Sequence, residues 1–275
     1  MFASILENVR AKRPLVHNIT NYVTANDCAN LLLACGASPI MADDPLEAEE
    51  VTALSQGLHL NLGTLHSQTV PAMFASGRKA NALGLPIVLD PVGAGVSAFR
   101  RETVQKLLDE IRFSAIRGNF SEFKALALGS ESIRGVDAAA GDRITEENLD
   151  QAISFAEAFA RQKNTVAAIT GAIDLVTDGT KTFRIRNGHP AMGSVTGTGC
   201  QLSALTAAFV SANPERPLEA TAAAVCAMGI AGETAYRRLS SLDGNASLRA
   251  YIIDAIYRLT PEQLENEADW EIRRA

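Results

Sequence analysis

The chain has 275 residues, 47% of them hydrophobic and 20% charged, with a formal net charge of −6 at pH 7. That length accommodates one large α/β domain or two small ones with a substantial core. The acidic balance, with Arg and Lys scattered in ones and twos, argues against nucleic acid or an anionic membrane surface as the main partner.

In chain order, residues 1–12 are charged and lack the apolar core of an export signal. Next comes an apolar helical pattern holding Cys28 and Cys35, where buried free thiols are common. With Cys200 and Cys226 these make four cysteines, with no C-x-x-C pair and no zinc spacing. The chain is therefore read as reduced, intracellular and cytoplasmic. Strands are predicted at Ser38–Met41 and over 58–62, 86–89, 115–117 and 165–169. Between them run helices over 45–54, 67–83, 100–111 and 146–161. The strands are apolar runs more than strict alternations, as expected of parallel strands covered on both faces. Strand–helix alternation of this kind implies a parallel sheet with right-handed crossovers.

Residues 173–185 differ, because Asp178-Gly179 lies between β-formers and signals a hairpin at one sheet edge. Beyond Cys200 the pattern is helical, over 201–211, 218–239 and 247–259. The most apolar stretch, 220–232, is too short to span a membrane and reads as a buried helix. No linker or repeat divides the chain, which is read as one domain, 1–275.

The strand ends carry the chemistry. They read Met41-Ala42-Asp43-Asp44, Asn61-Leu62-Gly63-Thr64, Asp90-Pro91-Val92-Gly93-Ala94-Gly95, Arg117-Gly118-Asn119 and Thr170-Gly171. One such end is ordinary turn chemistry. Five in register mark the edge where open α/β sheets bind ligands. Asp90 and Glu122 together suit a hydrated Mg²⁺ that also takes phosphate oxygens, although each alone would serve as a turn or capping residue. Arg117 offers a planar fork to phosphate, and Thr170 a hydroxyl with the Gly171 amide beside it.

Val195-Thr196-Gly197-Thr198-Gly199-Cys200 runs directly into a helical pattern. Two glycines let the backbone approach a ligand, and a helix start aims free N–H groups and a positive dipole end at an anion. A cysteine on that first turn is expected to gain acidity. The four histidines show no metal spacing. His59 and His66 are read as surface or hydrogen-bonded residues, His17 and His189 as loop residues. Neither a Walker loop nor a G-x-G-x-x-G turn after the first strand is present.

Taken together, Val16-His17-Asn18-Ile19-Thr20-Asn21-Tyr22-Val23, Gly36 to Ala42, Leu60 to Leu65, Val88 to Gly95, Ile116 to Asn119 and Asn187 through Cys200 resemble the hydroxyethylthiazole kinase family, in order and over nearly the whole chain. The resemblance implies a ribokinase-like three-layer α/β sandwich with a mostly parallel sheet. It also implies ATP with Mg²⁺, phosphorylation of 4-methyl-5-(2-hydroxyethyl)thiazole in thiamine salvage, and a homotrimer with active sites at subunit interfaces. Position by position it makes Met41 and Gly197 thiazole contacts, with Asn21 contributing from an adjacent subunit. Arg117 and Thr170 become ATP contacts, and Asp90 and Glu122 the acidic residues associated with Mg²⁺. Cys200 stands where many relatives of that fold carry an aspartate base, which leaves its role open between modest base, orienting group and pocket wall. Three other readings compete: a kinase for another small alcohol such as a hydroxymethylpyrimidine, a Cys200-dependent hydrolase or acyltransferase, and a non-catalytic nucleotide sensor.

Overall fold

The structure is a computed structural model that describes residues 1–127 and 144–274. Helix Phe2–Lys12 (α1) turns Phe2, Ile5, Leu6 and Val9 inward at helical spacing and stops at Arg13, which takes a left-handed conformation. There follow β1 (Leu15–Ile19), α2 (Ala25–Cys35), β2 (Ser38–Met41), α3 (Ala48–Leu54), β3 (Gly57–Asn61), α4 (Val70–Leu83) and β4 (Ile87–Asp90). The chain continues through α5 (Ala98–Glu110), β5 (Ala115–Asn119), α6 (Phe120–Ala127), α7 (Leu149–Lys163) and β6 (Val166–Thr170). Next are β7 (Asp174–Thr177), β8 (Lys181–Ile185) and a 3-10 turn at Pro190–Ser194. The last elements are α8 (Thr198–Ala212), α9 (Pro217–Arg238), α10 (Asn245–Arg258), α11 (Pro261–Glu267) and β9 (Trp270–Arg274).

The strands form one sheet in the order β2-β1-β3-β4-β5-β6-β7-β8-β9. The first six strands of that order are parallel, and β7, β8 and β9 add antiparallel neighbours at the far edge. Two cores lie on the two faces. One packs α1, α2 and α8 to α11 over Val16, Val88, Ala168 and Phe183. The other packs α3 to α7 over Leu58, Leu60, Leu89, Ile116 and Ile169. Helices on both faces of a mostly parallel sheet make the ribokinase-like three-layer sandwich that the resemblance implied. The 220–232 stretch lies inside α9 and is buried throughout. Among the described residues no helix is long and apolar enough to cross a membrane.

The sheet order places the site. The chain leaves β1 outward to β2, then crosses back to β3 on the other side of β1. Crossovers therefore diverge at the β1/β3 boundary, and a crevice opens beyond the carboxyl ends of those strands.

Two readings differ from the structure. His17 is not a loop residue: it lies in β1, fully buried, with Nδ1 on Thr52 and Nε2 on the Ala42 carbonyl. For His59 the hydrogen-bonded alternative holds: it is buried inside β3, with Nδ1 on Asn18 at 3.0 Å, and burial pushes its pKa down to about 3. Residues 1–12 and 15–19, passed over as elements, are α1 and β1. The hairpin at Asp178-Gly179 is present as β7–β8, with Gly179 at φ 91° and Asp178 Oδ1 accepting the Thr180 and Lys181 amides.

Candidate active site

Four segments meet beyond the carboxyl ends of β1, β3 and β4. Asn61, last in β3, accepts the Gly63 N–H on Oδ1 at 2.8 Å. A backbone donor there fixes which way the amide points, so Nδ2 faces Asp90 and donates to Oδ2 at 2.8 Å. Asn21, in the loop after β1, is fixed in the same way. Its Oδ1 accepts the Thr24 N–H at 3.1 Å, leaving Nδ2 to reach Asn61 Oδ1 at 2.9 Å and Cys200 Sγ at 3.3 Å. Gly63 is required by this close approach, because a Cβ there would fall 2.6 Å from Asn21 Cβ. Asn21 thus meets Cys200 within one chain.

Asp90 closes the network from β4. It is fully buried, and Oδ2 accepts from both Asn61 and Ser203 Oγ, the latter at 2.8 Å, while Oδ1 has no partner. Burial pushes its carboxyl up to about 6, against the opposing pull of Arg117 and of those two hydrogen bonds. The side chain does not cap its own turn, so the turn-capping alternative fails. Arg117 on β5 stands 3.9 Å from Asp90 Oδ2 and donates to Thr170 Oγ1 at 2.6 Å. The register pairs Arg117 with Ala168 and Asn119 with Thr170 on neighbouring parallel strands, so the Arg117 side chain reaches two residues along β6 to Thr170.

Glu122 is where the capping alternative holds. Its Oε2 accepts the Asn119 N–H at 2.8 Å, and Asn119 Oδ1 accepts the Glu122 N–H at 2.8 Å, a reciprocal cap on α6. Oε1 also accepts the Gly93 amide at 3.0 Å, which ties the turn after β4 to the start of α6. Its charge lies close enough to raise the pKa of Asp90.

Gly197, at φ 85°, leads into α8, and a Cβ on it would run into the methyl of Thr24. A Cβ on Gly199 would run into the Arg117 guanidinium. The glycines therefore let the start of α8 come down on Thr24, just before α2, and on Arg117 of β5. Cys200 departs from expectation: its thiol is pushed up, not down. Burial and the Asp90 charge outweigh the Asn21, Asn61 and Thr24 hydrogen bonds.

Two cavities flank this centre. The smaller, about 170 Å³, lies at the topological switch and is lined by Asn18, Thr20, Met41, Asn61, His66 and Met73 among others. The larger, about 740 Å³, runs over the ends of β5 and β6, past Arg117, Thr170, Thr198 and Gly199, to the 3-10 turn and α9. Met41, 38% exposed, belongs to the small cavity, whereas Arg117 and Thr170 belong to the large one. Asn61 was legible only as one of the strand ends at the ligand edge, and Ser203 and Asp174 were not singled out. Sequence reasoning also missed Arg100 on α5, which donates to the Leu62, Gly63 and Val92 carbonyls and so binds two of the loops together. The Asn61-Leu62-Gly63 strand end was the one available signal.

An open α/β sheet with one cavity at its switch point, a second over the ends of β5 and β6 and a glycine-cradled helix start between them is the arrangement of a ribokinase-like small-molecule kinase. The profile of the hydroxyethylthiazole kinase family matches residues 6–262, and the chain belongs to that family. A hydroxyethylthiazole kinase from Clostridium acetobutylicum is 55% identical over 271 residues, covering 98% of this chain and 99% of that one. The solved structure of hydroxyethylthiazole kinase protein from Pyrococcus horikoshii superposes with a TM-score of 0.86 at 39% identity, covering 100% of this chain and 98% of the other. The pyridoxal kinase of Staphylococcus aureus, solved with AMP-PCP and pyridoxal, shares the fold at TM-score 0.60 and 15% identity, over 95% of this chain and 98% of that one.

Proposed function

We propose that this chain, as one catalytic domain over residues 1–275, transfers the γ-phosphoryl group of ATP to the primary hydroxyl of 4-methyl-5-(2-hydroxyethyl)thiazole in thiamine salvage. The observation that carries the reading is the placement of two cavities of unequal size on either side of one glycine-cradled helix start. The small one admits a monocyclic alcohol next to Met41 and Asn61, and the large one admits a nucleotide triphosphate along Arg117 and Thr170.

In this reading the thiazole hydroxyl attacks the γ-phosphorus in line, forming the new O–P bond as the bond to the β-phosphate oxygen breaks and ADP leaves. The transition state is loose, so placement and charge stabilisation matter more than early removal of the hydroxyl proton. Gly197, Thr198, Gly199 and Cys200 present the amides at the start of α8 to the charge that develops. Arg117 and Thr170 hold the nucleotide's phosphates. Cys200 accepts from Asn21, and burial with the Asp90 charge pushes its thiol up, which supports a role in orienting the alcohol over thiolate chemistry.

The acidic pair fits a magnesium ion. Asp90 has a buried oxygen without a partner, and each Glu122 oxygen accepts a single backbone N–H, leaving hard oxygen donors of the kind Mg²⁺ takes. When bound there, the ion supplies charge neutralisation to the phosphate oxygens.

A homotrimer is supported by exposed apolar residues, of which Tyr22 also lines the small cavity. Tyr22, Val23, Leu46 and Leu54 are all more than half exposed and lie in the loops after β1 and β2 and at the end of α3, and further copies of the chain would cover them.

The test is ADP release from MgATP by purified protein, with the thiazole alcohol, hydroxymethylpyrimidine or ribose as acceptor. Stimulation by the thiazole alone is expected. Stimulation by another alcohol moves the chain to a sister activity, and thioester accumulation on Cys200 would overturn phosphoryl transfer altogether.

A further inference from the structure

Asp174 opens β7 and lines the large cavity together with Arg117, Thr170 and Gly171. It is only 9% exposed. Its Oδ1 accepts the Gly171 N–H at 2.8 Å, which closes the turn between β6 and antiparallel β7. Thr170, one residue earlier, takes the Arg117 Nη2 hydrogen on its hydroxyl at 2.6 Å. A carboxyl group therefore lines the same cavity as the Thr170–Arg117 pair, one that has to accept a polyphosphate. As an anion it would repel the nucleotide. As a neutral acid its carbonyl oxygen still accepts the Gly171 amide.

We propose that Asp174 is a positioning residue of the nucleotide site: in its neutral form it fixes Gly171, and through it the Thr170 hydroxyl on Arg117, and its ionisation weakens ATP binding, so that nucleotide binding takes up a proton. The proposal rests on the reading of the large cavity as the ATP site. Several charged or titratable groups surround the carboxyl. Arg117 comes from β5, Arg186 and His189 from the segment after β8, and Cys226 from α9, with Asp269 and Glu233 beyond that thiol. Arg186 is held by Glu146 and Glu271. On the opposite face of the sheet, the Glu157 carboxylate of α7 is engaged by Thr182. Burial dominates this balance and pushes Asp174 up to about 7, above the opposing effects of the Gly171 amide and Arg117.

The experiment is ATP affinity without acceptor, by calorimetry at about pH 6 and about pH 8, either side of the Asp174 titration, for wild type, Asp174→Asn and Asp174→Ala. Wild-type affinity should weaken about fivefold to tenfold more than that of Asp174→Asn between those conditions, because the carboxamide keeps the Gly171 acceptor and cannot ionise. Asp174→Ala, lacking the acceptor and equally unable to ionise, should bind about fivefold more weakly than Asp174→Asn at both pH values. Titration of ATP itself is common to all three proteins and cancels. Calorimetry of the wild type alone, in buffers of different ionisation enthalpy, gives a reading independent of variant folding: proton uptake must exceed that of ATP alone. Identical pH dependence in wild type and Asp174→Asn, or no excess uptake, overturns the proposal and leaves the ATP site standing. No ATP binding by wild type overturns both.

Discussion

Around Asn61, side chains from β3, β4, the loop after β1 and the start of α8 bond mainly to one another, above a cavity of about 170 Å³. Around Thr170 and Glu122, side chains bond mainly to backbone at the turns, beside a cavity of about 740 Å³. The first region is closed on itself, and its members are linked through Asn61, Asn21 and Asp90. The second is a set of separate turns, each held by its own residue. Such a division suits a site that has to select one small alcohol and also grip a long, flexible polyphosphate. Selection favours a preorganised pocket, whereas grip is supplied by amides, one arginine and a hydroxyl distributed along a groove.

The largest effect should come from the residue shared by both regions. Asp90 joins Asn61 and Ser203 on one side and faces Arg117 on the other. Asp90→Asn keeps the shape but removes the negative charge and the free acceptor at Oδ1. Turnover should fall by about 10²- to 10³-fold, while the protein melts no lower than wild type, because a buried charge has been removed. Steady-state ADP release alongside thermal unfolding checks this. A variant that keeps turnover within a few-fold of wild type would detach Asp90 from the chemistry and leave it a structural hub.

The two glycines at the start of α8 sharpen the comparison, since each presses on a different region. Gly199 carries no positive φ, and an added Cβ would strike the movable end of Arg117. Gly199→Ala should therefore fold normally but raise the KM for ATP about tenfold, with the KM for the thiazole alcohol little changed. Gly197 sits at φ 85°, and its added Cβ would strike Thr24, which is tied to Asn21. Gly197→Ala should cost about 1–2 kcal/mol from the left-handed backbone alone and raise the KM for the alcohol. Measuring both KM values for both variants decides the matter: if each variant moves the two constants equally, the regions are not separable.

Much of this arrangement was written in local sequence, and the rest depended on distant partners. Asp90-Pro91, Arg117-Gly118 and Thr170-Gly171 stood out because a strand that ends in a polar or glycine residue departs from its own apolar pattern. β1 did not stand out, because Leu15-Val16-His17-Asn18-Ile19 carries two polar residues in five. Those residues are tolerated in the core only because Thr52, the Ala42 carbonyl and His59 satisfy them, and these lie 25 to 41 residues away. Asn61 was visible as a strand end, but its role as a hub requires Asn21, Gly63 and Asp90 at once. β9 similarly has its place through Trp270, which packs on Phe2 and Phe183 from the other end and the middle of the chain. The acidity of Cys200 was misjudged for the same reason. Its helix start is local and pulls the pKa down, but the burial and the Asp90 charge that win are tertiary.

That reversal yields the smallest and most discriminating prediction. Burial and the Asp90 charge hold the Cys200 thiol above its ordinary value, so it is less ionised than a free cysteine. The wild-type kcat profile should therefore show no rising limb from Cys200 around neutral pH. Cys200→Ser keeps a short group that accepts from Asn21, so kcat should change by less than about fivefold, the worth of one ordinary hydrogen bond. The two profiles should also run parallel with pH. A wild-type rate that climbs tenfold per pH unit and becomes flat in Cys200→Ser would show that the thiolate does the work. In that case the Asn21 and Asn61 donors would be stabilising an anion, and the closed hydrogen-bonded region would be the base itself, not the frame that holds the alcohol.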